Sequence, residues 1–225
     1  MDDAVVRAED LVRVYGTGSR AVSAVSGATF SIEPGRRIAL VGPSGSGKST
    51  LLLLIAGLEK PTSGALAWPA LGDPRDLRPG PIAIAFQGPS LLPPLNVIEN
   101  VALPLLLEGR PQAEAMGAAN VALELFDLGD VAGKLPEEIS GGQAQRAGLA
   151  RAIAGEPRLI LADEPTGQLD HETAGRAMLT LLEAADASGA ALVVATHDPA
   201  VAGTMDARWR IDAGELRAEV SRWSA

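Results

Sequence analysis

The sequence predicts an α/β fold: a parallel sheet flanked by helices, with a β-rich segment ahead of it and a helical block inserted into it. Three observations carry this. Arg37-Ile-Ala-Leu-Val41, a glycine-rich run and Leu51-Leu-Leu-Leu-Ile-Ala56 read as buried strand, loop and helix in succession. Two further apolar runs of strand length, 158–162 and 191–196, alternate with helical patterns over 143–154 and 173–187. From about 88 to 140 the pattern is mostly helical, so this block interrupts the sheet and forms a subdomain within one domain spanning 1–225.

In chain order, the first 35 residues read as β structure. Val12-Arg-Val14 and Ala28-Thr-Phe-Ser-Ile32 alternate in polarity, and Glu33-Pro34-Gly35 is a turn before the next strand. Residues 63–80, rich in Pro and Gly, read as a strand and loops, and 82–86 as a short strand. Within 91–135, Pro93, Pro94 and Pro104 are read as breaks at one end, and Gly109-Arg-Pro111 as a loop.

Composition narrows the function. The chain has 225 residues, 47% hydrophobic, enough for one substantial core. It has no cysteine, which excludes disulfides and thiolate metal sites, and two histidines, which disfavours a histidine-rich zinc site. A net charge of −9 argues against a broad nucleic-acid surface and against adhesion to anionic lipid. The acidic N-terminus lacks a signal-peptide pattern, and no apolar run approaches the ~18 residues of a membrane span. The chain reads as cytosolic.

The chemistry starts at Gly42-Pro43-Ser44-Gly45-Ser46-Gly47-Lys48-Ser49-Thr50, which fits G-x-x-x-x-G-K-[ST], the phosphate-binding P-loop. Glycines let successive N–H groups turn toward phosphate oxygens, Lys48 brings a mobile positive charge, and the Ser49 hydroxyl is placed to ligate Mg²⁺. The strand–loop–helix context is the one the motif requires. Farther on, an apolar strand ends in Asp163-Glu164. Ligands of parallel sheets sit at carboxyl ends of strands, so Asp163 suits Mg²⁺ and Glu164 suits orienting or deprotonating a water. Ser140-Gly141-Gly142-Gln143 opens a helix; a capping box accounts for Ser140 and Gln143 but not for the two glycines, which leave N–H groups bare for a phosphate. A second anion site implies a second role for the nucleotide, or a nucleotide held by another copy.

With Ser140–Gln143 ahead of Asp163-Glu164, the chain resembles the ATP-binding cassette (ABC) ATPases, whose signature motif the serine–glycine–glycine–glutamine run matches. The rest of the family's set occurs in order over essentially the full length. Tyr15 resembles the aromatic residue that stacks on adenine, Gln87 the Q-loop glutamine, Gln168-Leu169-Asp170 the D-loop, and His197 the switch histidine at a strand's carboxyl end. The resemblance implies ATP and Mg²⁺ as ligands, with Gln87 touching Mg²⁺ or water alongside Ser49 and Asp163. It implies a P-loop NTPase core with an N-terminal antiparallel β subdomain, residues 1–87 and 141–225, around the helical subdomain. It also implies a head-to-tail dimer, each ATP lying between Gly42–Thr50 of one copy and Ser140–Gln143 of the other, with Asp170 at the seam.

Departures accompany the match. Residues 64–87 are shorter than in many relatives and lack a charged helix, Asn96 stands where threonine is common, and Gln168 is unusual. Leu91–Pro104, with Glu99-Asn100-Val101, resembles the branch of lipoprotein-release, macrolide-export and FtsE-like ATPases, as do Thr196–Pro199 and Asp212–Leu216. That implies separate transmembrane permease subunits as partners, at the cytoplasmic face of the inner membrane. Two other readings stay open: a soluble ABC ATPase of translation or DNA repair, against which stand the single cassette and the acidity, and an ATP-gated binding module, against which stand Glu164 and His197.

Overall fold

The computed structural model describes residues 3–88 and 90–220. The N-terminal β segment is an antiparallel sheet. β1 (Val6–Tyr15) runs against β2 (Val22–Ile32), from Val6 opposite Ile32 to Tyr15 opposite Val22, with register shifts between Ala8 and Val14. After β3 (Arg37–Val41) and α1 (Lys48–Ile55), β4 (Ser63–Ala67) joins the other side of β1.

The second sheet has six strands. Its members are β3, β5 (Ile82–Ala85), β6 (Leu159–Asp163), β7 (Ala191–Ala195), β8 (Ala207–Asp212) and β9 (Glu215–Val220), in the order β5-β6-β7-β3-β8-β9. The first five are parallel, and β9 returns antiparallel to β8. Period two splits the apolar runs between two cores. Leu159 and Leu161 of β6 and Ala191, Val193 and Ala195 of β7 face the core shared with α1 and the antiparallel sheet. Ile160, Ala162, Leu192 and Val194 face the opposite core. Both faces being covered explains why these strands show continuous rather than alternating hydrophobicity. α1 is buried nearly all round, with Leu51, Leu52, Leu54 and Ile55 each at most 1% exposed, because it is clamped between two sheets.

The opposite core is roofed by α2 (Val97–Leu107), α3 (Gln112–Leu125), α4 (Gly141–Ile153) and α5 (His171–Ser188); a short α6 (Pro199–Gly203) follows β7. Asn96 caps α2 in a full capping box: its side chain accepts from Glu99 N–H while the Glu99 carboxylate accepts from Asn96 N–H, both at 2.9 Å. Pro104 does not break this helix but lies inside it, correcting the expectation. Val97, Val101 and Leu105 on one stripe are fully buried, and that packing carries the helix past the missing donor. Over 68–81 no helix forms. Instead the Trp68 indole N–H donates to the Ile55 carbonyl at 2.8 Å and Arg78 to that of Gly57 at 3.2 Å, so this short segment closes the end of α1. The reading above did not anticipate β8 and β9, although Ala207–Asp212 alternates buried and exposed throughout.

Asn100 is fully buried and holds the turn before α2: its amide N–H₂ donates to the carbonyls of Leu92, Leu95 and Asn96, and its Oδ1 accepts from Leu92 N–H. Truncation would leave several backbone groups unpaired. Asn100→Ala should therefore lower unfolding free energy by about 2–4 kcal/mol, read from the urea midpoint; an unchanged midpoint would show that the turn holds without it.

Candidate functional site

Parallel pairing delivers the candidate residues to one edge. Leu40 of β3 and Asp163 of β6 both register with Ala195 of β7, and Ala85 of β5 with Ala162 of β6. The segments that follow these strand ends carry the P-loop, Glu164, His197 and Gln87. They surround a cleft of about 650 Å³ lined by Tyr15, Ser44, Gly45, Gly47, Lys48, Ser49, Thr50, Gln87, Asp163, Glu164 and His197, with Val22, Ser23 and Ala24 of β2 as one wall.

The loop's shape depends on glycine at two close approaches. A Cβ on Gly42 would stand 2.1 Å from the Ile211 carbonyl oxygen of β8, and one on Gly47 2.0 Å from that of Ala24. Gly47 also caps α1 with φ +109°, a conformation L side chains rarely adopt. Ser46 accepts from Gly214 N–H at 3.1 Å, so the β8–β9 turn braces the loop; its own hydroxyl is buried without a hydrogen-bond partner among the described residues. Gly42, Pro43 and Ser46 thus form the base of the loop rather than its lining. Lys48, 9% exposed, folds back so that Nζ donates to the carbonyls of Gly42 at 2.9 Å and Pro43 at 3.1 Å.

At the end of β6, burial holds the Asp163 carboxyl above the usual carboxylate range and the Glu164 charge pushes the same way, opposed by a hydrogen bond from Ser49 and by Lys48. Glu164 follows with φ +47°. A non-glycine residue there costs about 1–2 kcal/mol, and the turn is held by Glu164 N–H on the Ala195 carbonyl and Gly167 N–H on the Glu164 carbonyl. Its side chain is 14% exposed, and Oε2 lies 2.9 Å from Nδ1 of the exposed His197. The buried Thr196 anchors that histidine's turn, its hydroxyl accepting from Asp198 N–H at 3.0 Å. Across the cleft, the Arg13 guanidinium stacks 4.4 Å over the Tyr15 ring and pairs with Glu59 at 2.7 Å, which fixes the ring's orientation.

Ser140, Gly141, Gly142 and Gln143 do not line this cleft. They form the start of α4, where Ser140 and Gln143 make a reciprocal capping box and α4 begins two residues before the expected 143. Gly141 and Gly142 abut the D-loop of the same chain: a Cβ on Gly141 would be 2.9 Å from Gln168 Oε1, and one on Gly142 3.3 Å from Leu169 Cδ2. The same Gln168 amide reaches toward Gly88, behind Gln87. Asp170 caps α5, accepting from Thr173 N–H at 3.0 Å and its hydroxyl at 2.7 Å, contacts that hold its carboxyl below the usual range. Because Gly167 still lines the cleft, residues 164–170 run from the cleft to the foot of α4.

This constellation has relatives. The family model described as "ABC transporter" matches residues 25–167. The chain belongs to the ABC transporter family. It is 40% identical to the lipoprotein-releasing system ATP-binding protein LolD of Xanthomonas euvesicatoria pv. vesicatoria, over 95% of this chain and 91% of that one. It is 38% identical to LolD of Legionella pneumophila over 97% and 99%. Among solved structures, a dimeric ATP-binding cassette in a post-hydrolysis state bound to ADP and Pi aligns with TM-score 0.89 and 34% identity, covering 97% of this chain and 100% of that one. The chain is an ABC-type ATPase.

For this ABC cassette, sequence reading missed the residues that shape the loop from outside. Ala24 and Ile211 act through backbone carbonyls, and Val22–Ala24 are small or apolar residues with no motif to mark them.

The elevated Asp163 pKa has a sign. The native chain holds that proton at pH values where the unfolded chain has released it, so stability falls as pH rises through the window above the ordinary carboxylate pKa. Asp163→Asn should therefore stabilise the nucleotide-free chain at neutral pH more than in acid while removing ATP turnover; urea titrations at both pH values check this, and an equal shift at each would contradict it.

Proposed function

We propose that the chain is the ATP-hydrolysing subunit of an ABC transporter-type complex in which two copies close head to tail over two nucleotides and thereby move separate membrane subunits. The observation that carries this is the split site: the P-loop, Asp163, Glu164 and His197 share one cleft, while Ser140–Gln143 stand outside it. A second copy that presents its α4 N-terminus supplies the missing donors. The dimeric ATP-binding cassette among the solved relatives supports that arrangement. The division into residues 1–87 with 141–225 and a helical unit near 88–140 belongs to the same reading, the helical unit carrying the signature toward the other copy.

The donor set fits Mg²⁺. The Ser49 hydroxyl is hydrogen-bonded to the buried Asp163 carboxylate beside Lys48, a hard-oxygen pair suited to that ion, with Gln87 on the same cleft. Bound there with ATP, it would neutralise phosphate charge. The protein's own groups do the rest. Lys48 leaves its two loop carbonyls for phosphate oxygens, and Tyr15 stacks on adenine. Glu164, held at its turn, takes up or orients the proton of the attacking water. In the free chain His197 engages Glu164 directly. When the histidine turns to the γ-phosphate, that carboxylate oxygen is released for water, so chemistry waits on a nucleotide.

Phe86 precedes Gln87 and lines a different, apolar groove of about 370 Å³, with Leu92, Leu103, Pro104 and Leu107, between β5 and α2. Phe86, Leu92 and Leu107 are 39%, 46% and 66% exposed. Its apolar lining suits a short helix of a membrane subunit, and the adjacency of Phe86 and Gln87 ties that seat to the nucleotide. Among the described residues no helix is long and apolar enough to cross a membrane. In this reading the chain is held at the cytoplasmic face of the inner membrane by such partners. The lipoprotein-releasing relatives support work in that branch, on lipoprotein release or a related mechanical task.

Glu164→Gln should lower turnover by about 10²–10⁴-fold and trap an ATP-bound dimer on size exclusion; full activity would remove Glu164 from its role. Leu107→Asp, at an exposed site, should shift stability by no more than about 0.5 kcal/mol yet abolish recovery of a multi-span membrane protein that the tagged wild-type chain brings down from detergent extracts. Recovery of ribosomes or DNA by the wild-type chain would favour a soluble role instead.

A further inference from the structure

Gln145 is the buried polar side chain of α4, 3% exposed. Its Nε2 donates across twenty residues to the Pro165 carbonyl at 3.2 Å. The carbonyl partner fixes which end of the amide points there, since only the N–H₂ end donates. Its other end, Oε1, is buried with no hydrogen-bond partner among the described residues. A half-paired buried amide is a stability cost that an apolar side chain of the same length would avoid. Packing therefore does not account for glutamine at this position, and the single bond it makes does.

That bond lands on the Pro165–Thr166 peptide, one residue beyond Glu164. Glu164 holds φ +47° immediately before a proline, a place where backbone freedom is already curtailed. Its turn has three ties: its own N–H to the Ala195 carbonyl on β7, Gly167 N–H to the Glu164 carbonyl, and Gln145 to the Pro165 carbonyl. The first two hold the turn to the sheet and to itself. The third joins it to α4, two residues past Gln143 at the helix end that carries Ser140–Gln143.

We infer that Gln145 is a positioning residue for Glu164: through the Pro165 peptide it sets the carboxylate of one nucleotide site in step with the helix end that serves the other. This rests on the reading that Glu164 handles the attacking water and that Ser140–Gln143 complete a site on another copy. Nucleotide pressed onto the start of α4 shifts Gln145, and the shift reaches Glu164 through one hydrogen bond. The two sites of a dimer are thereby linked inside each chain, along a path separate from the seam between them.

Gln145→Met keeps the length and removes the donor. In the full-length chain it should leave the urea midpoint equal or higher and the affinity for a fluorescent ATP analogue and the KM within about twofold, while kcat falls about tenfold. A residue acting through Glu164 also loses its effect once Glu164 is disabled. Added to Glu164→Gln, Gln145→Met should slow single-turnover hydrolysis by less than about twofold. Gln145→Leu, which also removes the donor, is a second route to the same kcat loss should the methionine variant fold poorly. A kcat within about twofold of wild type in both variants, or a tenfold loss that persists beside Glu164→Gln, overturns the inference. Glu164→Gln turning over like wild type overturns it together with the reading beneath; failure confined to Gln145 leaves Glu164 in place.

Discussion

Backbone pressed against backbone at Gly42 and Gly47 is the contact on which the rest of the site depends. The loop after β3 lies so close to the carbonyls of Ile211 and Ala24 that no Cβ fits at either glycine. These two contacts bind the loop to β8 on one side and to the antiparallel sheet on the other, so three separate stretches of chain converge before any ligand arrives. Lys48 can then fold over loop carbonyls that are already in place, and α1 starts where its N–H groups face the cleft. A loop shaped this way binds phosphate without first paying for its own ordering.

The same sheet that assembles the cleft keeps Ser140–Gln143 away from it. Gln87, Glu164 and His197 lie at the carboxyl ends of neighbouring parallel strands, and register brings them together. Ser140–Gln143 open a helix that packs on the opposite core. Residues 164–170 touch both the cleft and the start of α4, through Gly167 at one end and Gln168 and Leu169 at the other. The strained Glu164 sits at the head of that span, so a small change in the turn acts on the carboxylate directly.

What could be read from residues divides along a physical line. Arg37–Val41 stands out because its middle, Ile38–Leu40, is covered on both faces and therefore apolar, and the residue after Val41 is glycine. The P-loop and Asp163-Glu164 were legible because required glycines, a lysine, a serine and two carboxylates are residue identities, and identities are what a sequence records. Ala24 and Ile211 were not, since a carbonyl oxygen is the same in every residue. The β8–β9 hairpin turns through Ala213 and Gly214, both at positive φ, +46° and +82°. Such a turn normally advertises itself with Asn-Gly or Asp-Gly, and alanine hid it. Pro104 misled for the converse reason: a strong local signal was outweighed by the buried stripe of α2.

Charge explains why an incomplete pocket is a workable design. The chain carries −9 overall, has three lysines, and places Asp163 and Glu164 in the cleft that must take a polyanion. Net charge spread over the surface is screened within about 8 Å at physiological salt, so it is the local groups that decide. Against two carboxylates the free cleft sets one lysine and the amide dipoles of a glycine loop. That balance is close, and a nucleotide with its cation tips it only partway. A second helix terminus, with bare N–H groups at Gly141 and Gly142, adds positive potential with no additional basic residue. In the dimer proposed above that terminus comes from another copy, so the attraction that completes the site also brings the two copies together and lapses when the γ-phosphate departs.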